Sequence, residues 1–153
     1  MFAGFWGAAA LLGAAYGAGW LDKSPAPPAV PSARETKSVG GKFGLCPVGG
    51  GTNCVVDGDT MWINGENIRI ADIDAPETHE PGCSAEKSLG ERATRRLHGL
   101  VNSGTVTLEG IGRDSDSYGR KLRVVLVDGK SVGDTLVDEE LARWYEGGRR
   151  SWC

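Results

Sequence analysis

From Phe43 onward, short apolar runs alternate with clusters of turn-forming residues. "TNCVV" (Thr52–Val56) and "TMWI" (Thr60–Ile63) are β-prone and separated by "DGD". "NGEN" (Asn64–Asn67) then carries the Asn-Gly signal of a tight hairpin before "IRIADI" (Ile68–Ile73), so three antiparallel strands are predicted. Beyond Pro81 and Gly82 the period changes. Ala85, Leu89, Ala93, Leu97 and Val101 recur at helical spacing, with Ser84 placed to cap and Glu86 in the first turn. Lys87, Arg92, Arg95 and Arg96 fall off that stripe and read as a solvated face. "TVTLEGI" and "KLRVVLV" predict two further strands joined by the polar loop "GRDSDSYGR", and "DGK" turns into a second helix near Ser131. The order β-β-β-α-β-β-α predicts a mainly β fold with helices (α+β), a small closed or partly closed barrel with one modest core.

The first 42 residues do not share this pattern. Residues 2–21, "FAGFWGAAALLGAAYGAGWL", carry no charge and are long enough to cross a bilayer, though five glycines and seven alanines make them only weakly apolar. Export signal and uncleaved membrane tether both fit, which places the rest of the chain outside the cytoplasm, secreted, periplasmic or membrane-anchored. Residues 22–42 are rich in proline, alanine, serine and glycine and read as a flexible linker. The folded domain is expected over 43–148, followed by a tail at 149–153.

Four cysteines, Cys46, Cys54, Cys83 and Cys153, form an even set downstream of that leader, which suits disulfides. Zinc is disfavoured, because seven residues separate Cys46 from Cys54 and neither His79 nor His98 completes a ligand spacing. Three pairings are open. The expected one joins Cys46 to Cys54 across a glycine-rich loop and Cys83 to Cys153, tying down a segment that would otherwise fray.

The candidate chemistry lies in acidic clusters at predicted strand ends. Asp57 and Asp59 sit in "VVDGDT", and Asp74 and Glu77 in "DIDAPE" beyond the hairpin. Carboxylates brought that close need protonation or a hard cation between them, and oxygen-only donors favour calcium or magnesium over zinc. Pro76 biases Ala75 to an extended conformation and leaves its carbonyl free to join them. "DSDSYG" (Asp114–Gly119) mimics the opening of an EF-hand loop but has Val125 where the closing glutamate belongs, so it reads as a polar connection that presents Arg120.

Together "DGDT", "RIADIDAPE" and "DSYGR" resemble the staphylococcal (micrococcal, thermonuclease) nuclease family, over about Cys54 to Ala142. The resemblance implies an OB-fold five-stranded barrel, calcium dependence, and hydrolysis of DNA and RNA phosphodiesters; a monomer is expected. Carried over, Asp59 and Asp74 would bind calcium through carboxylates and Ala75 through its carbonyl, with Asp57 helping through water. Glu77 would be the general base, Arg69 and Arg120 would clamp the phosphate, and Tyr118 would hydrogen-bond it.

Three features depart from the family pattern. Ala75 stands where the family commonly has threonine, a change a main-chain ligand tolerates. The third, C-terminal helix of well-known members has no counterpart, and Glu146 and Gly148 fall where their nucleoside-pocket tyrosines would be, leaving Trp144 or Tyr145 as substitutes or core residues. Charge also differs. Of 17 Lys and Arg and 20 Asp and Glu, only Lys23, Arg34, Lys37, Asp22 and Glu35 precede residue 41, leaving 14 bases against 18 acids where known members are basic. Phosphate attraction must then come from the cleft itself. The rival classes are a binding module on the same fold and a calcium-stabilised structural domain, and the second has no use for Arg69 and Arg120 together.

Overall fold

The computed structural model describes residues 36–48 and 50–153, so the leader at 2–21 and most of the linker lie outside the described residues. The meander predicted at the start of the domain is present as β3 (Cys54–Asp57), β4 (Thr60–Ile63) and β5 (Glu66–Ile70), paired antiparallel. Asn64 and Gly65 both take positive φ, 51° and 81°, the geometry that lets a two-residue turn follow the strands' twist. β6 (Ile73–Asp74) follows, then α1 (Ser84–Val101), and then the hairpin of β7 (Val106–Ser115) and β8 (Lys121–Val127). β7 runs well into the stretch expected as loop, with its ladder interrupted between Gly110 and Ser115, so the connection is a turn at Asp116–Gly119. β9 (Lys130–Ser131) leads into α2 (Val132–Asp138), and β10 (Arg143–Trp144) returns to pair with β6.

Two strands precede the meander. β1 (Thr36–Val39) lies inside the stretch expected to be linker, yet it pairs antiparallel with β7 and buries Val39 opposite Val106. Backbone pairing to an exposed edge needs few apolar side chains, so a composition test misses it. β2 (Gly44–Leu45) pairs parallel to β3.

The order among the described residues is β1-β7-β8-β5-β4-β3-β2, with β9 beside β8 and β6–β10 as a separate ladder. Among the described residues this hydrogen-bonded path is open, so of the closed or partly closed barrel expected it is not the closed form, and α1 packs against β3. The fold is otherwise the mainly β, two-helix OB type that was expected, with two α-helices among the described residues.

Met61, Ile63, Ile68, Ile70, Ile73, Leu97, Val125 and Leu136 centre one core. Ala93, Leu97 and Val101 supply the buried face of α1 as their spacing required, whereas Ala85 is exposed and Glu86 buried in its place. Ser84 is the first helical residue, and the N-cap is Cys83, which makes no side-chain cap bond. Ser131 does cap α2, accepting from the Gly133 and Asp134 amides. Cys46 is bonded to Cys54 and Cys83 to Cys153, closing spans of 8 and 70 residues. No helix of the described residues is long and apolar enough to cross a membrane.

Candidate active site

The turn between β3 and β4 carries Asp57, Gly58 and Asp59. Its backbone lies so close to β6 and α1 that a Cβ on Gly58 would come within 2.7 Å of the Cβ atoms of both Ala75 and Ala93. That approach fixes the Asp59 carboxylate. Its Oδ2 accepts from the Ala75 amide at 2.8 Å, and its Oδ1 accepts from the Thr60 hydroxyl at 3.0 Å. Asp57 Oδ1 accepts from the Asp59 amide at 3.2 Å.

Arg69, one strand over, ties the acidic ends together. Its Nη1 lies 3.1 Å from Asp59 Oδ2 and donates to the carbonyls of Ile70 and Ile73 at 2.6 and 3.0 Å, while Nη2 lies 3.9 Å from Asp74 Oδ1. Arg69 is only 7% exposed. Much of its donor capacity is thus spent within the protein, so it holds two carboxylates in place as well as lining the cleft. Asp74 has a second partner that the sequence did not flag. The β6–β10 register sets Arg143 opposite Asp74, and Arg143 Nε lies 3.4 Å from Asp74 Oδ2.

Parallel pairing of β5 with β8 sets Lys121 opposite Ile68, so Arg120 enters level with Asn67, two residues before Arg69. Asp116 presents it. One Asp116 oxygen accepts from the amides of Tyr118 and Arg120 at 2.9 Å each, and the other accepts from Arg120 Nε at 2.7 Å. The turn therefore organises Arg120, as expected, through an aspartate not singled out from sequence. Tyr118 is 84% exposed, with its ring 5.5 Å from the Arg120 guanidinium.

Glu77 stands on the loop before α1. Its amide donates to Glu86 Oε1 at 3.3 Å, and Glu86 Oε2 accepts from the Gly82 amide at 2.6 Å, so the buried Glu86 positions the whole loop. The Glu77 carboxylate is paired with Arg149, again a residue the sequence did not flag.

These groups border two adjoining hollows. The larger, about 1020 Å³, is lined by Arg69, Arg113, Tyr118, Arg120, Tyr145 and Arg149 among others. The smaller, about 320 Å³, has Asp57, Glu77, Arg120 and Arg149 in its wall. Asn67, Arg120 and Arg149 border both. Trp144 and Tyr145, weighed as core or stacking residues, are half exposed, and Tyr145 faces the larger hollow.

Burial dominates the electrostatics of the acidic turn. It pushes the Asp59 carboxyl up to about 7 despite the opposing pull of Arg69, and neighbouring Asp57 adds to the rise. Asp57 is also raised, by burial first and by repulsion from Glu77. At the buried Asp59 and the partly buried Asp57 the charged form is thus disfavoured even with Arg69 at hand, and a further cation would favour it. Oxygen donors in such surroundings fit a hard cation. Among the described residues no group of three or more His, Cys, Asp or Glu side chains is placed to hold a metal ion.

An OB-type domain with a cleft of carboxylates and arginines at its strand ends defines the class. The chain belongs to the staphylococcal nuclease homologue family, which matches residues 67–151, more than half of the sequence. Over 93 residues, 58% of this chain, it is 47% identical to the SPbeta prophage-derived endonuclease YokF of Bacillus subtilis (strain 168), covering 31% of that protein. It is 46% identical over 93 residues to endonuclease YncB of the same organism, covering 44% of it. The chain spans less than half the length of these curated relatives.

Proposed function

We propose that this chain is a calcium-dependent nuclease that hydrolyses phosphodiester bonds of DNA, and of RNA by the same chemistry. The observation that carries this reading is the position of Glu77. It shares the wall of one hollow with Arg120, and that hollow adjoins a second one bordered by arginines and tyrosines. A carboxylate base beside cationic donors is what attack of water on a phosphodiester requires. The match to proteins named endonucleases supports it.

In this mechanism Glu77 accepts a proton from the attacking water. Arg120, its Nε anchored by Asp116, directs its remaining donors to the phosphate oxygens and stabilises charge that develops on them. Arg69 keeps Asp59 and Asp74 aligned and contributes positive charge to the wall of the larger hollow. Tyr118 and Tyr145 offer exposed rings and hydroxyls to a flexible strand. Asp59, Asp74 and the Ala75 carbonyl, with Asp57 behind them, would hold calcium, and the ion would supply Lewis-acid polarisation of the phosphate.

Two disulfides support export to an oxidising compartment, with residues 2–21 as signal or tether, and action there as a monomer. The test is cleavage of single-stranded DNA by Glu77→Gln and Arg120→Lys. Each is expected to lose on the order of a hundredfold in rate with the fold intact. Wild-type rates from both variants would refute the assignment.

A further inference from the structure

Arg149 is not one of the residues the family resemblance implicates, yet the segment Gly147–Cys153 is built around it. Cys153 is disulfide-bonded to Cys83. Arg143 donates to the carbonyls of Arg150 and Ser151, and the Trp152 ring lies 3.8 Å from the Arg143 guanidinium. Arg143 in turn pairs with Asp74. The segment is thus fastened at two points just beyond Arg149, once to the loop leading into α1 and once, through Arg143, to the acidic site.

What this fastening delivers is one guanidinium at the junction of the two hollows, paired with Glu77. A pair whose partners are 55% and 29% exposed adds little to stability, so stability does not explain why Arg149 is set against Glu77. Charge does. Burial alone would lower the affinity of Arg149 for its proton, but Glu77 outweighs that, and Asp59 and Asp74 are near enough to add to it. Arg149 is also less committed than Arg69 and Arg120: Arg69 is spent on carbonyls and two aspartates, and Arg120 is anchored through Nε. Among the described residues, the side-chain partner of Arg149 is the carboxylate that must be free to take a proton.

We infer that Arg149 is a substrate-binding residue that exchanges Glu77 for a backbone phosphate of a single-stranded nucleic acid, and that the Cys83–Cys153 bond holds it in position to do so. The fork of a guanidinium suits a phosphate as well as a carboxylate, so the exchange conserves its hydrogen bonds. Phosphate binding then frees Glu77 as the strand arrives. This rests on the nuclease reading above.

The experiment uses the full chain in detergent and a fluorescent single-stranded DNA oligonucleotide. Cleavage is followed with calcium, and binding by anisotropy with chelator, both over a range of salt. Arg149→Gln is expected to raise KM and Kd roughly tenfold with a smaller change in kcat, and to reduce the slope of log Kd against log salt by about 0.7, the loss of one phosphate contact. Arg149→Lys should restore the slope but only part of the affinity. Arg150→Gln removes the same charge from a side chain that lines neither hollow, and should leave the slope unchanged. The Cys83→Ser/Cys153→Ser double variant should shift Kd in the same direction as Arg149→Gln.

If wild type cleaves and Arg149→Gln keeps its KM and slope, or becomes faster, the inference fails while the nuclease reading stands. Equal shifts from Arg150→Gln would reduce the effect to net charge and likewise overturn it. A wild type that neither binds nor cleaves overturns both.

Discussion

Gly90 and Gly99 lie on the same helix and should respond oppositely to the same substitution. Alanine is favoured over glycine in a helix by about 1 kcal/mol, so Gly99→Ala, with nothing within 4 Å of the added methyl, should stabilise by up to that amount. At Gly90 the methyl would stand 2.7 Å from the Pro76 carbonyl oxygen, 2.9 Å from Thr78 Cγ2 and 3.0 Å from the Glu77 carbonyl oxygen. Two of those atoms are backbone and cannot rotate away. Overpacking of this kind costs about 1–3 kcal/mol, so Gly90→Ala should fall below Gly99→Ala by about that amount despite the identical propensity gain. With a urea slope of about 1–3 kcal/mol/M, the two midpoints should differ by roughly 1 M. The functional effect should be larger. The loop that must retreat carries Glu77, and misplacing a reacting group by about 1 Å can cost a hundredfold, so at least a tenfold loss of cleavage is expected of Gly90→Ala and none of Gly99→Ala. Equal midpoints together with a wild-type rate for Gly90→Ala would refute the claim that this glycine lets the Glu77 loop lie on α1.

The two disulfides should contribute unequally. From spans of 70 and 8 residues, loop-closure entropy gives about 4 kcal/mol for Cys83–Cys153 and about 2.5 kcal/mol for Cys46–Cys54, to be compared by denaturation of the paired serine variants. Hydrogen bonds from Lys121 and Arg123 hold Asp114 down to about 2. Its folded value is depressed, so the contribution is present above the ordinary carboxylate range and lost as pH falls through about 2; an NMR titration should show that, with the depression shrinking in high salt. Asp59→Asn should raise the calcium concentration needed for half-maximal cleavage, with much of the rate recovered at high calcium; an unchanged requirement would remove Asp59 from the metal set.

Local signals carried the elements furthest. Asn64-Gly65 specified the first hairpin, Ser131 the start of α2, and the Ala93-Leu97-Val101 spacing the buried face of α1. Each depends on neighbours in sequence. The strand β1 was illegible because its partner β7 lies some seventy residues on and most of its stability is backbone pairing. That the sheet stays open was likewise set by long-range pairing rather than by local signals. In the site, the acids and arginines were visible as clusters, and the groups that orient them were not. Arg143 meets Asp74 only through the β6–β10 register, Arg149 reaches Glu77 only because its segment folds back, and Glu86, one residue of an ordinary helix start, turns inward to hold the Glu77 loop.

The central claim is that Glu77, placed beside Arg120, makes this cleft a hydrolytic site. The most direct measurement is cleavage of denatured DNA by the purified full chain with calcium, set beside the same protein in chelator and beside Glu77→Gln with calcium. The account predicts cleavage in the first case, none in the second, and on the order of a hundredfold less in the third. A wild type that binds the DNA but leaves it intact with calcium, or a Glu77→Gln variant that cleaves it as fast as wild type, would contradict it.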